Sequence, residues 1–189
     1  MDAKRNLFPV FMKAAAIITG AMTVVLSLIN LFFSQSWLLT CLITAGTTCY
    51  HFCMRLIVGA FIPLFVKNTD ICSAKWFQPH PFEQSVYSLL RVKSWKRHVP
   101  TYNPDSFDTQ KHPLPVIIRN MCISELVHTV IILLSFLPIF AALIWGEFLV
   151  FAATSTIAAA VDCVFVLVQR FNRPRLARLI DKIEAVRHE

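Results

Sequence analysis

The sequence predicts an all-α integral membrane protein with four transmembrane helices and cytoplasmic interfacial helices. Three observations predict it. Of 189 residues, 56% are hydrophobic and 15% charged, with 16 Phe and 4 Trp, against roughly 25% charged in ordinary soluble domains. A soluble chain this short cannot bury that much apolar surface. Four apolar runs are long enough to cross a bilayer, which takes about 20 residues. Every basic residue except Arg55 falls on alternate connections between those runs. Disorder, collagen-like repeats and a disulfide-rich scaffold are excluded by the apolar content, 4 Gly and 6 scattered Cys. There is no internal repeat and no low-complexity tract. One membrane domain is expected over 1–189.

The first run, 14–33, carries no charge. Its length, and the absence of a small-x-small site at Ser34-Gln35-Ser36-Trp37, argue for a permanent span over a cleaved signal. The second, 37–66, contains His51, Arg55 and Pro63. The third, 123–145, starts with Glu125 and His128 and contains Pro138. The fourth, 148–168, holds one acid, Asp162.

Lys4, Arg5 and Lys13 precede the first run. Segment 67–119 holds eight further cations, from Lys67 to Arg119, and the tail holds six, from Arg170 to Arg187. The turns at 34–36 and 146–147 hold none. The positive-inside rule then places both termini and segment 67–119 in the cytoplasm. The net charge of +7 is therefore topology, and no nucleic-acid partner is implied. Cysteines near a reducing cytoplasm, Cys72 and Cys122 included, are expected as reduced packing residues.

Within the cytoplasmic segment, residues 82–97 read as an interfacial helix. Phe82, Val86, Leu89, Leu90 and Trp95 supply an apolar stripe; Arg91, Lys93, Lys96 and Arg97 supply cations. Pro113 and Pro115 suit the start of the third long helix. Pro174 is expected to break the fourth and open a separate C-terminal helix, 174–187, with Leu176, Leu179, Ile180 and Ile183 on one side.

Ionisable groups at bilayer depth cost about 2.5–3.5 kcal/mol each on insertion scales, so they ask for a reason. His51 and Arg55 share a helix face, as do Glu125 and His128, with Asn120 and Ser124 a turn earlier, and Asp162 with Gln169. Plainer roles exist for each. Arg55 and Asp162 can neutralise each other, Glu125 can be an acid at a helix start, and His128 can be an interfacial residue. A metal held by His51, Glu125 and His128 is chemically feasible, but one E-x-x-H is half of a di-iron pattern, and no metal is expected. The chemistry these types support is acyl transfer. An imidazole takes the proton of an attacking hydroxyl, a carboxylate orients the ring, and Arg, Asn or Gln donors stabilise the oxyanion. No serine elbow is present, so direct transfer is expected.

The string Val168-Gln169-Arg170-Phe171-Asn172-Arg173-Pro174-Arg175-Leu176, with Glu125-Leu126-Val127-His128 and Trp95-Lys96, resembles the glycosyl-4,4'-diaponeurosporenoate acyltransferase family. The resemblance implies a bacterial plasma-membrane enzyme that esterifies a sugar hydroxyl of a glycosylated C30 carotenoid. It implies Glu125 and His128 as the catalytic pair. Gln169, Arg170, Asn172, Arg173 and Arg175 would bind donor or sugar, with His51, Arg55, Asp162, Trp95, Lys96 and Asn120 also lining substrate. Acyl-CoA or another acyl thioester is the expected co-substrate, a membrane lipid the acceptor, and no resident cofactor is needed. Nothing in the sequence sets an oligomeric state. The rivals are a non-catalytic scaffold or small transporter subunit, whose polar residues are helix–helix glue, and a metal-dependent membrane hydrolase or oxidase.

Overall fold

The computed structural model describes residues 7–33, 35–66 and 70–187. Lys4, Arg5, Ser34 and Lys67, used above for topology, lie outside the described residues. All regular structure among them is helical. In chain order the α-helices are α1 (Phe8–Phe32), α2 (Ser36–Phe65), α3 (Glu83–Leu89), α4 (Val92–Trp95), α5 (Leu114–Leu134), α6 (Ala142–Trp145) and α7 (Phe148–Arg187). Four stretches are long and apolar enough to cross a membrane: Phe8–Phe32, Ser36–Phe65, Leu114–Trp145 and Phe148–Arg187.

Serine and threonine hydroxyls on these helices turn inward on their own backbone. Thr19, Thr23, Thr44, Thr47, Thr48, Thr129 and Ser135 each donate to the carbonyl four residues earlier, at 2.7–2.8 Å. A hydroxyl facing lipid has no water to bond, so its own helix satisfies it. Apolar side chains are left outside: on α1 alone Ile17, Val24, Leu28 and Phe32 are exposed and only Met12 is buried. Such a surface is a liability in water and ordinary in lipid.

Contacts divide the chain into two compact units. The first comprises Met1–Phe61 and Val130–Asp162, the second Ile62–Thr129 and Cys163–Glu189. In the first, small residues allow close approach: a methyl added at Gly20 would stand 3.4 Å from Cys49 Sγ. Tyr50 donates to the Leu134 carbonyl at 2.9 Å, and Leu38, Met54, Ile131 and Phe151 are buried. In the second, one apolar cluster gathers Ile71, Phe77 and Cys122, and another Tyr87, Val92 and Phe171.

Four expectations change. The third helix starts at Leu114, at the entry that Pro113 and Pro115 mark, so it extends ahead of the apolar run from 123; the added stretch to Cys122 is polar only at Arg119 and Asn120. It ends at Leu134, and a 3₁₀ segment holding Pro138, Leu137–Ala141, leads into α6. The fourth helix does not break: α7 runs through Pro174. A proline removes one helical hydrogen bond. Phe171 and Arg173, both buried, hold the turn on which it sits. The interfacial helix expected at 82–97 is interrupted at Arg91, which adopts the left-handed conformation (φ 49°, ψ 40°) between α3 and α4. Its buried face is Glu83 and Tyr87, while Phe82, Leu89 and Leu90 are exposed. Finally, Cys72 and Cys122 form a disulfide and are not reduced thiols, whereas Cys41, Cys49, Cys53 and Cys163 remain free. The bridge spans 50 residues, a proximity no local spacing reveals. Cys122 is fully buried, which shields its own sulfur from the thiolate attack that exchange requires, while Cys72 is half-buried.

Candidate functional site

The densest polar cluster lies in the second unit. Arg170 and Arg173 are three apart on α7 and therefore share a face. Glu125 projects from α5 and is fully buried. Arg173 Nη1 binds Glu125 Oε2, and its Nη2 donates to the Phe77 carbonyl. Arg170 lies 3.5 Å from Glu125 Oε1 and 3.1 Å from Glu83 Oε1. It also donates to the Trp76 carbonyl at 2.7 Å. Tyr87 donates to the remaining oxygen of Glu83 at 2.8 Å. Two carboxylates and two guanidiniums thus balance in an interior where an unpaired charge is costly. The aromatic faces of Trp76 and Phe77 lie 5.4 and 5.3 Å from the two guanidinium carbons, adding cation–π attraction. Burial first, then the hydrogen bond to Glu83, push the Tyr87 hydroxyl well above tyrosine's ordinary range. One donor is left over: Arg170 Nε is buried and makes no hydrogen bond among the described residues.

The other expected residues are distributed around this cluster or away from it. His128 stacks on Phe165, centroids 4.6 Å apart and planes 8° apart. It stands three residues beyond Glu125, about 4.5 Å along the helix axis. Lys96 donates to Asn172 Oδ1. Lys96 and Arg175 both lie over the Phe171 ring, 4.7 and 3.5 Å from its centroid. Burial, then the like charges of Arg175 and Lys93, hold the Lys96 ammonium below lysine's ordinary pKa. Trp95 Nε1 donates to the Leu90 carbonyl at 2.8 Å and so braces the α3–α4 turn. Asn120 anchors a loop through the Ser106 carbonyl at 2.8 Å. Gln169 is half-buried.

His51, Arg55 and Asp162 belong to the first unit. Arg55 pairs with Asp162 and donates to the carbonyls of His51 and Ala158 at 2.9 and 2.8 Å. Both His51 ring nitrogens are buried without a hydrogen bond among the described residues. Among the described residues no three His, Cys, Asp or Glu side chains converge as metal ligands.

Sequence reasoning missed Glu83, Tyr87, Trp76 and Phe77. The i, i+4 spacing of Glu83 and Tyr87 was a readable signal, but the residues around them read as a lipid-facing stripe, which directed attention to the opposite face.

Fold and site together define a helical protein with four membrane-length helices and a buried, charge-balanced Glu–Arg cluster. Residues 73–182, more than half of the chain, match the glycosyl-4,4'-diaponeurosporenoate acyltransferase family, and the chain belongs to that family. No curated protein and no solved structure matches it.

Proposed function

We propose that this chain is a multi-pass membrane acyltransferase that moves a fatty acyl group from an acyl thioester to a hydroxyl of a lipid-linked acceptor. The observation that carries this reading is that Glu83, Glu125, Arg170 and Arg173 all fall inside the segment that matches an acyltransferase family. The family's description makes a glycosylated carotenoid acid the natural acceptor, through its sugar hydroxyl. The distribution of basic residues argues for cytoplasmic termini, and the family resemblance for a bacterial plasma membrane.

In this mechanism the acceptor hydroxyl attacks the thioester carbonyl as His128 accepts its proton. Charge develops on the carbonyl oxygen, and the unused Nε of Arg170 is the donor that meets it. The carbon–sulfur bond then breaks, the ester bond remains, and His128 returns the proton to the departing thiolate. Glu125 anchors Arg170 and Arg173 in the geometry this requires, and Glu83 with Tyr87 holds the far side of Arg170. Lys96, Asn172 and Arg175 bind the polar part of a substrate at the rim.

The test is transfer of labelled palmitate from its CoA thioester to a glycosylated carotenoid by purified protein, read by mass spectrometry. Wild type forms the ester. His128→Ala lowers turnover by about 10²–10⁴-fold while the protein still inserts into the membrane. Undiminished turnover by that variant removes His128 from the mechanism, and a scaffold transfers no label at all.

A further inference from the structure

The turn between α3 and α4 encloses an open hollow of about 580 Å³ lined by Tyr87, Ser88, Arg91, Lys93, Ser94 and Arg97. None of these residues belongs to the Glu–Arg cluster except Tyr87, whose hydroxyl faces Glu83. The lining holds three cations and no acid. Among the described residues, none of the three has a carboxylate partner.

Arg91, Lys93 and Arg97 are exposed, and all three line this one hollow. Arg91 occupies the left-handed region at φ 49°, where glycine or asparagine is the usual residue after a helix. An arginine there accepts local strain, and residues in such conformations gather at functional sites. The turn is fixed by Ser94, which donates to the Arg91 carbonyl at 2.8 Å, and by the Trp95 bond to Leu90. Lys96, next in sequence to Arg97, lies with Arg175 over the Phe171 ring and adds to the positive charge of this segment.

We propose that this hollow is a phosphate-binding site, and that it takes the phosphate groups of the acyl donor. Guanidiniums bind phosphate in two-pronged fashion, and the hydroxyl of Ser88 supplies a shorter contact. The identity of the donor rests on the acyl-transfer reading; the phosphate chemistry does not.

The test measures binding to the full-length protein in detergent by calorimetry, with CoA, with pantetheine, which lacks phosphate, and with bilayers containing phosphatidylglycerol or phosphatidylcholine. Arg91→Gly keeps the left-handed turn without strain, so it removes the guanidinium and spares the fold. Combined with Lys93→Gln and Arg97→Gln, it should weaken CoA binding at least 30-fold, leave pantetheine binding within twofold, and leave the melting temperature unchanged. An unchanged CoA affinity together with unchanged association with phosphatidylglycerol overturns the proposal. Loss of phosphatidylglycerol association with unchanged CoA affinity supports the phosphate site and overturns its assignment to the donor. If no acyl thioester is a substrate, the acyl-transfer reading fails alone, since the CoA measurement still reports on the hollow.

Discussion

The two units handle buried arginine differently. In the first, Arg55 serves one carboxylate, Asp162, and directs its other bonds to two backbone carbonyls. In the second, Arg170 is shared between Glu83 and Glu125, and Glu125 in turn is shared between Arg170 and Arg173. An isolated pair needs little beyond two facing helices and reads as packing. A shared network needs a third element, here α3, to deliver Glu83 and Tyr87. It also fixes the positions of several donors at once, which is what preorganised chemistry requires.

The sharpest test of that difference is Arg173→Met. It leaves the fully buried Glu125 with Arg170 alone, 3.5 Å away, and the Phe77 carbonyl without this donor, and breaking a buried pair from one side costs about 3–5 kcal/mol. Thermal melting in detergent should register the loss, and Glu125→Gln added to Arg173→Met should recover most of it. Equal melting of wild type and the single variant would dissolve the network as a structural entity.

The second unit is also the one carrying the disulfide, and Cys72→Ser should cost about 2–4 kcal/mol. Alkylation of the denatured, unreduced protein should modify the four free cysteines and leave Cys72 and Cys122 unlabelled. Labelling of all six would mean that the bridge does not form in the cell.

In the first unit the expected response is milder. Asp162→Asn leaves Arg55 with its two carbonyl acceptors, so the loss should be about 2 kcal/mol, that of one hydrogen bond between charged groups. A penalty as large as that of Arg173→Met would erase the distinction between pair and network.

Tyr87→Phe should cost least, about 1.5 kcal/mol, the lower end for a bond to an ionised acceptor. Because burial and Glu83 raise the Tyr87 pKa above its usual 10.0, its stabilisation is intact below about pH 10 and is lost as pH climbs beyond it. Melting temperatures followed from pH 8 to 11 should therefore fall in wild type by more than in Tyr87→Phe.

Local chemistry made much of the fold readable. The length of the apolar runs marked the four spans, and Glu125 stood out because a charged group near lipid needs a partner, whereas Arg170 and Arg173 stood out through the string that carries the family resemblance. The Arg55–Asp162 pair was readable for the same reason. Less readable were the continuity of α7 through Pro174 and the break at Arg91. In both cases neighbouring side chains overrode a local preference: Phe171 and Arg173 are held in the interior, and Trp95 and Ser94 brace the turn.

By itself the sequence determined the membrane class, the number of spans and the identity of the costly polar groups, because hydration free energy depends on composition and run length. Only the tertiary structure decided that Glu125 meets Arg173, that Glu83 and Tyr87 close the cluster, and that Cys72 reaches Cys122. Those choices join residues separated by tens of positions, and no local periodicity encodes which distant partner will satisfy a buried charge.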